Sequence, residues 1–237
     1  MKIFLKNKNE IADGTLLFTF EAPDENITYV PGQYVSLKLE LRYPDEKGPK
    51  RYFSIVNPPE NDTRAGGGKI EIATRISDTG FKQTLAGMQT GDAAEIARIE
   101  GEFLLPEDAE KEIVMVAGGV GVTPFKCMLE DLVQKAEKRK ISLLYSNKNK
   151  ANAAFYDEFS QMEASGYLER IFFVMTRDDS WPGPKGRMNA EFIADNIPDY
   201  KEKYFMVAGP PNFVGGISQA IEELKIDDVK LEKFFGY

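Results

Sequence analysis

Ile113-Val114-Met115-Val116-Ala117-Gly118-Gly119-Val120-Gly121-Val122-Thr123-Pro124 reads as an apolar strand, a glycine-rich turn and the opening of a helix. The helix follows because Phe125, Met128, Leu129, Leu132, Val133 and Ala136 recur on one face. Pro124 suits a first helical turn, where a missing N–H costs nothing. Glycines in this context let a phosphate approach the free N–H groups and the positive dipole end of the helix. The spacing is not G-x-G-x-x-G, so a tight strand–helix turn without a ligand remains the alternative.

Towards the C-terminus the pattern repeats. Apolar strands at Ile141–Tyr145, Ile171–Thr176, Tyr204–Ala208 and Val229–Phe234 alternate with helical stretches, predicting a Rossmann-like α/β domain with a five-stranded parallel sheet. Ligands of such sheets sit at the carboxyl ends of the strands. Those ends carry Ser146-Asn147, Thr176-Arg177 and Ala208-Gly209-Pro210-Pro211 beside the first glycine turn, a coherent rim of small and polar residues. Cys127 is expected on the polar or lateral side of its helix as a structural thiol. Trp181 is expected to cap the sheet edge. Lys135, Lys138, Arg139 and Lys140 read as a solvated helix end.

Towards the N-terminus the pattern changes to short strands: Lys2–Lys6, Thr15–Ala22, Tyr34–Leu41, Arg51–Val56, Lys69–Ile76 and Ala93–Ile99, with a short helix at Phe81–Gly87. Turns at Asp13-Gly14, Pro31-Gly32, Gly48-Pro49, Pro58-Pro59 and Gly66-Gly67-Gly68 separate them, which predicts an antiparallel barrel or sandwich. The boundary falls near Pro106–Asp108, giving domains 1–107 and 108–237. Arg51-Tyr52-Phe53-Ser54 offers a bidentate phosphate grip, an aromatic face and a hydroxyl, although an edge strand with a core Phe53 explains it equally well.

Composition narrows the chemistry. The 237 residues carry 30 Lys+Arg against 38 Asp+Glu, a net charge of −8, which disfavours nucleic-acid backbone as a partner. No apolar run approaches a bilayer-spanning length and no signal peptide is evident, so a cytoplasmic protein without membrane insertion is expected. One cysteine cannot ligate an ordinary iron–sulfur cluster, and zero histidines exclude the usual Ser-His-Asp and Cys-His sites and the commonest zinc sites. Demanding chemistry here calls for an organic cofactor.

Arg51-x-Phe53-Ser54, Gly80-Phe81-Lys82-Gln83-Thr84-Leu85, Gly118–Pro124 and Gly209-Pro210-Pro211 occur in the order and spacing of one family. The chain resembles ferredoxin–NADP reductases, the flavodoxin/ferredoxin reductase-like flavoproteins, over essentially its whole length. The resemblance implies a two-domain fold, with an N-terminal six-stranded antiparallel flavin-binding β-barrel before the nucleotide-binding domain. It implies FAD, and NADP(H) in preference to NAD(H), as cofactors. Arg51 would contact the flavin phosphate, Phe53 would stack on the isoalloxazine, and Ser54 would hydrogen-bond near its N5, with Tyr52 alongside. Thr74 and Arg75 would line the ribityl side, and Gly80, Phe81, Lys82 and Thr84 the pyrophosphate.

Gly118, Gly119, Val120, Gly121, Thr123 and Pro124 would receive the nicotinamide dinucleotide, with Ser146 and Asn147 on its rim and Thr123 near the reacting rings. Thr176 and Arg177, with Lys185 and Arg187 in the next loop, would surround a 2′-phosphate. Phe235 or Tyr237 would cover the flavin, as terminal aromatics do in plant-type members, or pack as structure. Three departures stand out: Phe53 where Tyr is commoner, Ala208 where many members have Cys, and Glu100-Gly101-Glu102-Phe103 in place of a Gly-Pro turn.

The expected activity is hydride transfer from NAD(P)H to FAD, then single electrons to a separate ferredoxin or flavodoxin, by a monomer or weak dimer. The alternatives are a reductase component of an oxygenase, a free-flavin reductase, or a non-catalytic flavin- and nucleotide-binding regulatory subunit.

Overall fold

The computed structural model describes residues 1–23, 25–59 and 68–235. The first unit is a six-stranded antiparallel sheet of β1 (Lys2–Ala12), β2 (Thr15–Ala22), β3 (Tyr34–Lys38), β4 (Lys50–Ser54), β5 (Gly68–Arg75) and β6 (Ala93–Glu100), in the order β4-β3-β6-β1-β2-β5. An antiparallel bridge between Ile55, just past the end of β4, and Ile72, in the middle of β5, links the two edge strands, which gives the sheet its barrel character. Ile3, Leu5, Phe18, Phe20, Val35, Leu37, Ile70, Ile72 and Ile96 recur at every second position of their strands and form the core. Of the turn Gly66-Gly67-Gly68, only Gly68 lies within the described residues.

Strand β1 runs to Ala12, twice the expected length. Its second half, Asn7-Lys8-Asn9-Glu10, has no apolar periodicity, yet it pairs with β2 through two register shifts. The extension brings Lys8 to the helix α1 (Gly80–Ala86), where its ammonium donates to the carbonyls of Ala86 (2.6 Å) and Met88 (2.7 Å). A cation thus satisfies the carboxyl end of the helix. At the other end, Thr79 accepts from the Lys82 N–H.

The second unit is a five-stranded parallel sheet of β7 (Ile113–Gly118), β8 (Ile141–Asn147), β9 (Arg170–Met175), β10 (Tyr204–Gly209) and β11 (Val229–Lys233), ordered β11-β10-β7-β8-β9. Helices α2 (Thr123–Lys135), α3 (Tyr156–Ala164), α4 (Ala190–Asn196) and α5 (Pro211–Leu224) lie between the strands in sequence. Val114, Val116, Leu144, Phe205 and Val207 pack on Ile193, Val214, Ile217 and Ile221 of α4 and α5. On the opposite face the ring of Phe159, from α3, meets Tyr145 edge-on at 6.0 Å. Among the described residues no helix is long and apolar enough to cross a membrane.

The division is not a single cut. The first compact unit contains Met1–Leu105 and Thr123–Asp131, while the second contains Pro106–Val122 and resumes at Leu132. This overturns the expected position of Cys127. It is fully buried in the barrel core cluster, and its thiol donates to the Asn57 carbonyl at 2.9 Å. Helical periodicity counts one buried face, whereas residues 123–129 are buried at every position.

Two other expectations resolve locally. Trp181 does cover the edge strand β9: its indole N–H donates to Phe173 O at 3.0 Å, and its ring meets Tyr156 edge-on. The basic run is only partly solvated, because Arg139 donates to the carbonyls of Pro106 and Asp108, and Lys140 pairs with Glu112 at 2.9 Å.

Candidate functional site

In the barrel, β4 alternates so that Arg51 and Phe53 face inward and Tyr52 outward, 53% exposed. Arg51 is only 2% exposed. Its guanidinium donates to the carbonyls of Lys47 (3.1 Å), Gly48 (2.9 Å) and Lys50 (2.7 Å) and forms an ion pair with Asp45. The other Asp45 oxygen accepts the Phe81 N–H at 2.7 Å. One carboxylate therefore joins a buried guanidinium to the first turn of α1. That Phe81 N–H, with the Lys47 N–H and Arg51, holds the Asp45 carboxyl below its ordinary range against the opposing effect of desolvation.

Around this cradle, Lys82 is 6% exposed, and burial followed by the nearby Arg51 charge depresses its pKa. Phe53 and Phe81 lie 6.0 Å apart with rings tilted 32°. Thr84 is buried, donates to the Gly80 carbonyl (2.7 Å) and accepts the Arg42 N–H (3.0 Å). Ser54 and Thr74 are buried and Arg75 is exposed.

In the parallel sheet, β7 is followed by β8 and β9 on one side and by β10 and β11 on the other. The strand order reverses between β7 and β10, where a crevice for ligands opens in such sheets. The ends at that point are Gly118-Gly119 and Gly209-Pro210, side by side, with Ala117 opposite Ala208 in register. The glycines are explained here largely by the chain itself. A Cβ on Gly118 would lie 2.6 Å from the Phe213 ring, and one on Gly121 would lie 2.5 Å from Ala208 O. Gly119 differs: its φ is +53° and the space around it is open. The turn continues as a 3-10 segment, Gly119–Val122, into α2, with Thr123 buried at the helix start.

Further along the rim, Ser146 and Asn147 are buried at the end of β8, and both side-chain polar atoms of Asn147 lack partners. Thr176 donates through N–H and hydroxyl to Asn147 O, and the Arg177 N–H donates to Lys148 O. Arg177 and Arg187 are exposed, while Lys185 donates to Asp179 O at 2.6 Å.

The oxidoreductase FAD-binding domain model matches residues 2–104 and the oxidoreductase NAD-binding domain model matches 115–219. The chain belongs to the ferredoxin–NADP reductase-like family. It is an FAD/NAD-binding oxidoreductase.

Flavohemoprotein A of Dictyostelium discoideum is 26% identical over 231 residues, spanning 94% of this chain but 57% of that protein. NADH-cytochrome b5 reductase 1 of Laccaria bicolor is 26% identical over 230 residues, 93% of this chain and 72% of the relative. The chain thus covers little more than half of the flavohemoproteins it matches. Among solved structures, the FAD/NAD-binding domain of nitric oxide dioxygenase from Vibrio cholerae superposes with a TM-score of 0.84 at 18% identity, covering 98% of both chains. A ferredoxin NADP+ reductase from Neisseria gonorrhoeae does so at 0.78 and 20% identity, covering 99% of this chain and 98% of that one.

The residues fit the family's cofactor on their own evidence. Arg51 and the Phe81 N–H already hold an anion between them, Asp45, and Arg51 Nε is a buried donor without an acceptor. The barrel residues Arg51, Phe53, Phe81, Lys82 and Thr84 come together in the first unit, and Gly118, Gly119, Gly209, Pro210 and Pro211 in the second. Thr123 and Pro124 group with the first unit. Phe235 is 58% exposed and Tyr237 lies outside the described residues.

Three residues escaped the sequence reading. Asp45 sits in a polar loop that reads as solvent-exposed. Phe213 reads as core packing of α5. Glu232 lies opposite Ala208 in β11, its Oε2 buried without a partner, and burial pushes its carboxyl up to about 7. Its signal was faint, because it stands between apolar Leu231 and charged Lys233 in a strand of alternating character.

Proposed function

We propose that this oxidoreductase takes a hydride from a reduced nicotinamide dinucleotide onto FAD and passes electrons singly to a separate ferredoxin or flavodoxin. FAD supplies the redox chemistry when bound, since it can accept two electrons together and release them one at a time. The chain's residues bind, orient and exclude water. Arg51 and the Phe81 N–H would hold the cofactor's phosphate, with Lys82 adding charge, while Phe53 would offer its ring to the flavin and Ser54 a hydroxyl. Gly118–Thr123 and Gly209–Pro211 receive the dinucleotide.

The observation that carries this reading is the pair of glycine ends at the point where strand order reverses, beside the open Gly119. One cysteine leaves the chain unable to ligate a cluster, so the electrons leave to a centre elsewhere. The names of the relatives favour a second reading of the acceptor, a haem protein, as in NADH-cytochrome b5 reductase 1.

The dinucleotide is NADP(H) in this reading, because Arg177 and Arg187 offer exposed guanidiniums beside Thr176. A charge-assisted contact of about 1.5–3 kcal/mol gives roughly ten- to hundredfold discrimination. Stopped-flow reduction by NADPH and NADH tests activity and preference together. Arg177→Ala is expected to collapse the NADPH:NADH ratio of kcat/KM. Equal ratios in the unsubstituted protein overturn the assignment, and a protein that neither nucleotide reduces overturns the whole reading.

A further inference from the structure

The loop between β3 and β4 places its own carboxylate where a phosphate is expected. Asp45, its side chain 4% exposed, pairs with Arg51 and accepts from the N–H groups of Phe81 (2.7 Å) and Lys47 (2.9 Å). The loop backbone is seated as closely as its side chain. The carbonyls of Pro44 and Tyr43 occupy the space that a Cβ on Gly80 would need. Gly80 is therefore required by the chain's own loop, whatever else approaches it.

The charges at this place do not balance. Arg51 and Lys82 are both buried, and Asp45 is the carboxylate paired there. Lys82 has no carboxylate partner among the described residues, and Arg51 Nε lacks an acceptor. Two buried cations facing one carboxylate leave room for a group of higher charge, and a pyrophosphate diester carries two negative charges. Buried charges without partners are costly, so the deficit points to a dianion.

We propose that Asp45 is an internal stand-in for the cofactor's phosphate: it closes the Arg51–Phe81 cradle in the unloaded chain and withdraws, with the loop Tyr43–Pro49, when the phosphate enters. The proposal rests on the reading of Arg51 given above and adds a competitor for its site. Loading then requires breaking the Asp45–Arg51 pair, which weakens retention of phosphorylated flavins relative to a chain without that carboxylate. Riboflavin, which has no phosphate, does not compete with Asp45.

The experiment is titration of flavin-depleted protein with FAD, FMN and riboflavin, for the unsubstituted chain, Asp45→Asn and Asp45→Ala. Both variants are expected to bind FAD roughly ten- to hundredfold more tightly, the worth of one charge-assisted hydrogen bond, with riboflavin affinity unchanged. In the unsubstituted chain, FAD is expected to speed tryptic cleavage after Lys47 and Lys50 as the loop is released. FAD affinity that is unchanged or weaker in Asp45→Asn overturns the proposal, as does equal tightening of riboflavin. If both variants misfold, the proteolysis decides: a loop that FAD leaves equally protected or protects further refutes displacement. An unsubstituted chain that binds none of the three flavins overturns the flavoprotein reading itself, a different and recognisable failure.

Discussion

Arg51 is a cation almost without water, and the structure satisfies it with carbonyls before any ligand arrives. Its bonds to the Lys47 and Gly48 carbonyls hold the β3–β4 loop against β4, and a third goes to Lys50 O at the start of that strand. Charge-assisted bonds of this kind are each worth about 1 kcal/mol or more when buried. Arg51→Ala is therefore expected to lose about 3 kcal/mol of stability even in flavin-free protein, measured by urea denaturation. Stability within 0.5 kcal/mol of the parent, a loss at the level of ordinary surface substitutions, would mean that the loop holds itself. The sequence made Arg51 a phosphate ligand or an edge-strand residue; it is buried and held by backbone in a way that neither description contained. Asp45 was illegible because a turn rich in Pro, Asp, Glu, Lys and Gly looks solvated, and only the fold brings α1 to it. Cys127 shows the same limit, since the carbonyl its thiol bonds, that of Asn57, lies 70 positions away.

At the level of elements the sequence was more informative. Among the described residues, each of the eleven strands corresponds to a candidate read from apolar patterning, because alternation and continuous apolar runs are local properties. Ends were missed where pairing continued through polar residues, as in β1. The glycine turn after β7 was correctly placed, but the reason for its glycines was half hidden. Phe213 fills the space above both Gly118 and Gly209. Gly118→Ala should accordingly cost about 1–3 kcal/mol by overpacking, and Phe213→Leu should recover part of that loss in a double-mutant cycle. Additive losses would refute the steric account.

The last strand carries a separate prediction. Glu232 has its carboxyl raised to about 7, so the folded state favours the neutral form. The stability this contributes is present below the ordinary carboxylate range and is lost as pH rises through about 7. Glu232→Gln should thus gain on the parent as pH is raised from 6 to 8, read as a widening Tm difference. A pH-independent difference contradicts the burial of that carboxyl.

For the whole molecule, the significant feature is that the two compact units do not correspond to two continuous stretches of chain. Thr123–Asp131 groups with the barrel and puts Cys127 into its core cluster. A fragment of residues 1–105 contains every barrel strand yet lacks that helix segment. It is expected to keep β-sheet circular dichroism but unfold without a sharp transition, whereas 1–135 regains some cooperativity. A 1–105 fragment melting as sharply as the full chain, at the same temperature, would show the segment to be dispensable. The two-domain plan was legible in the shift from short strands to alternating strands and helices. The exchange of a helix between units was not, because periodicity reports that a helix has a buried face and not which neighbour buries it.

That exchange has a consequence for recombination. Enzymes of modular appearance invite the swapping of halves, and the natural seam here is the connection after β6. A hybrid cut at Leu105 would receive from its donor the very helix that completes the recipient's barrel, and with it a residue shaped for a different interior. Viable crossovers therefore have to carry Thr123–Asp131 with residues 1–105, which a single junction cannot do without also carrying β7 and its glycine turn. Inheritance in this fold is interleaved: among the described residues the chain passes from one unit to the other at 105/106, 122/123 and 131/132, so no one junction separates them.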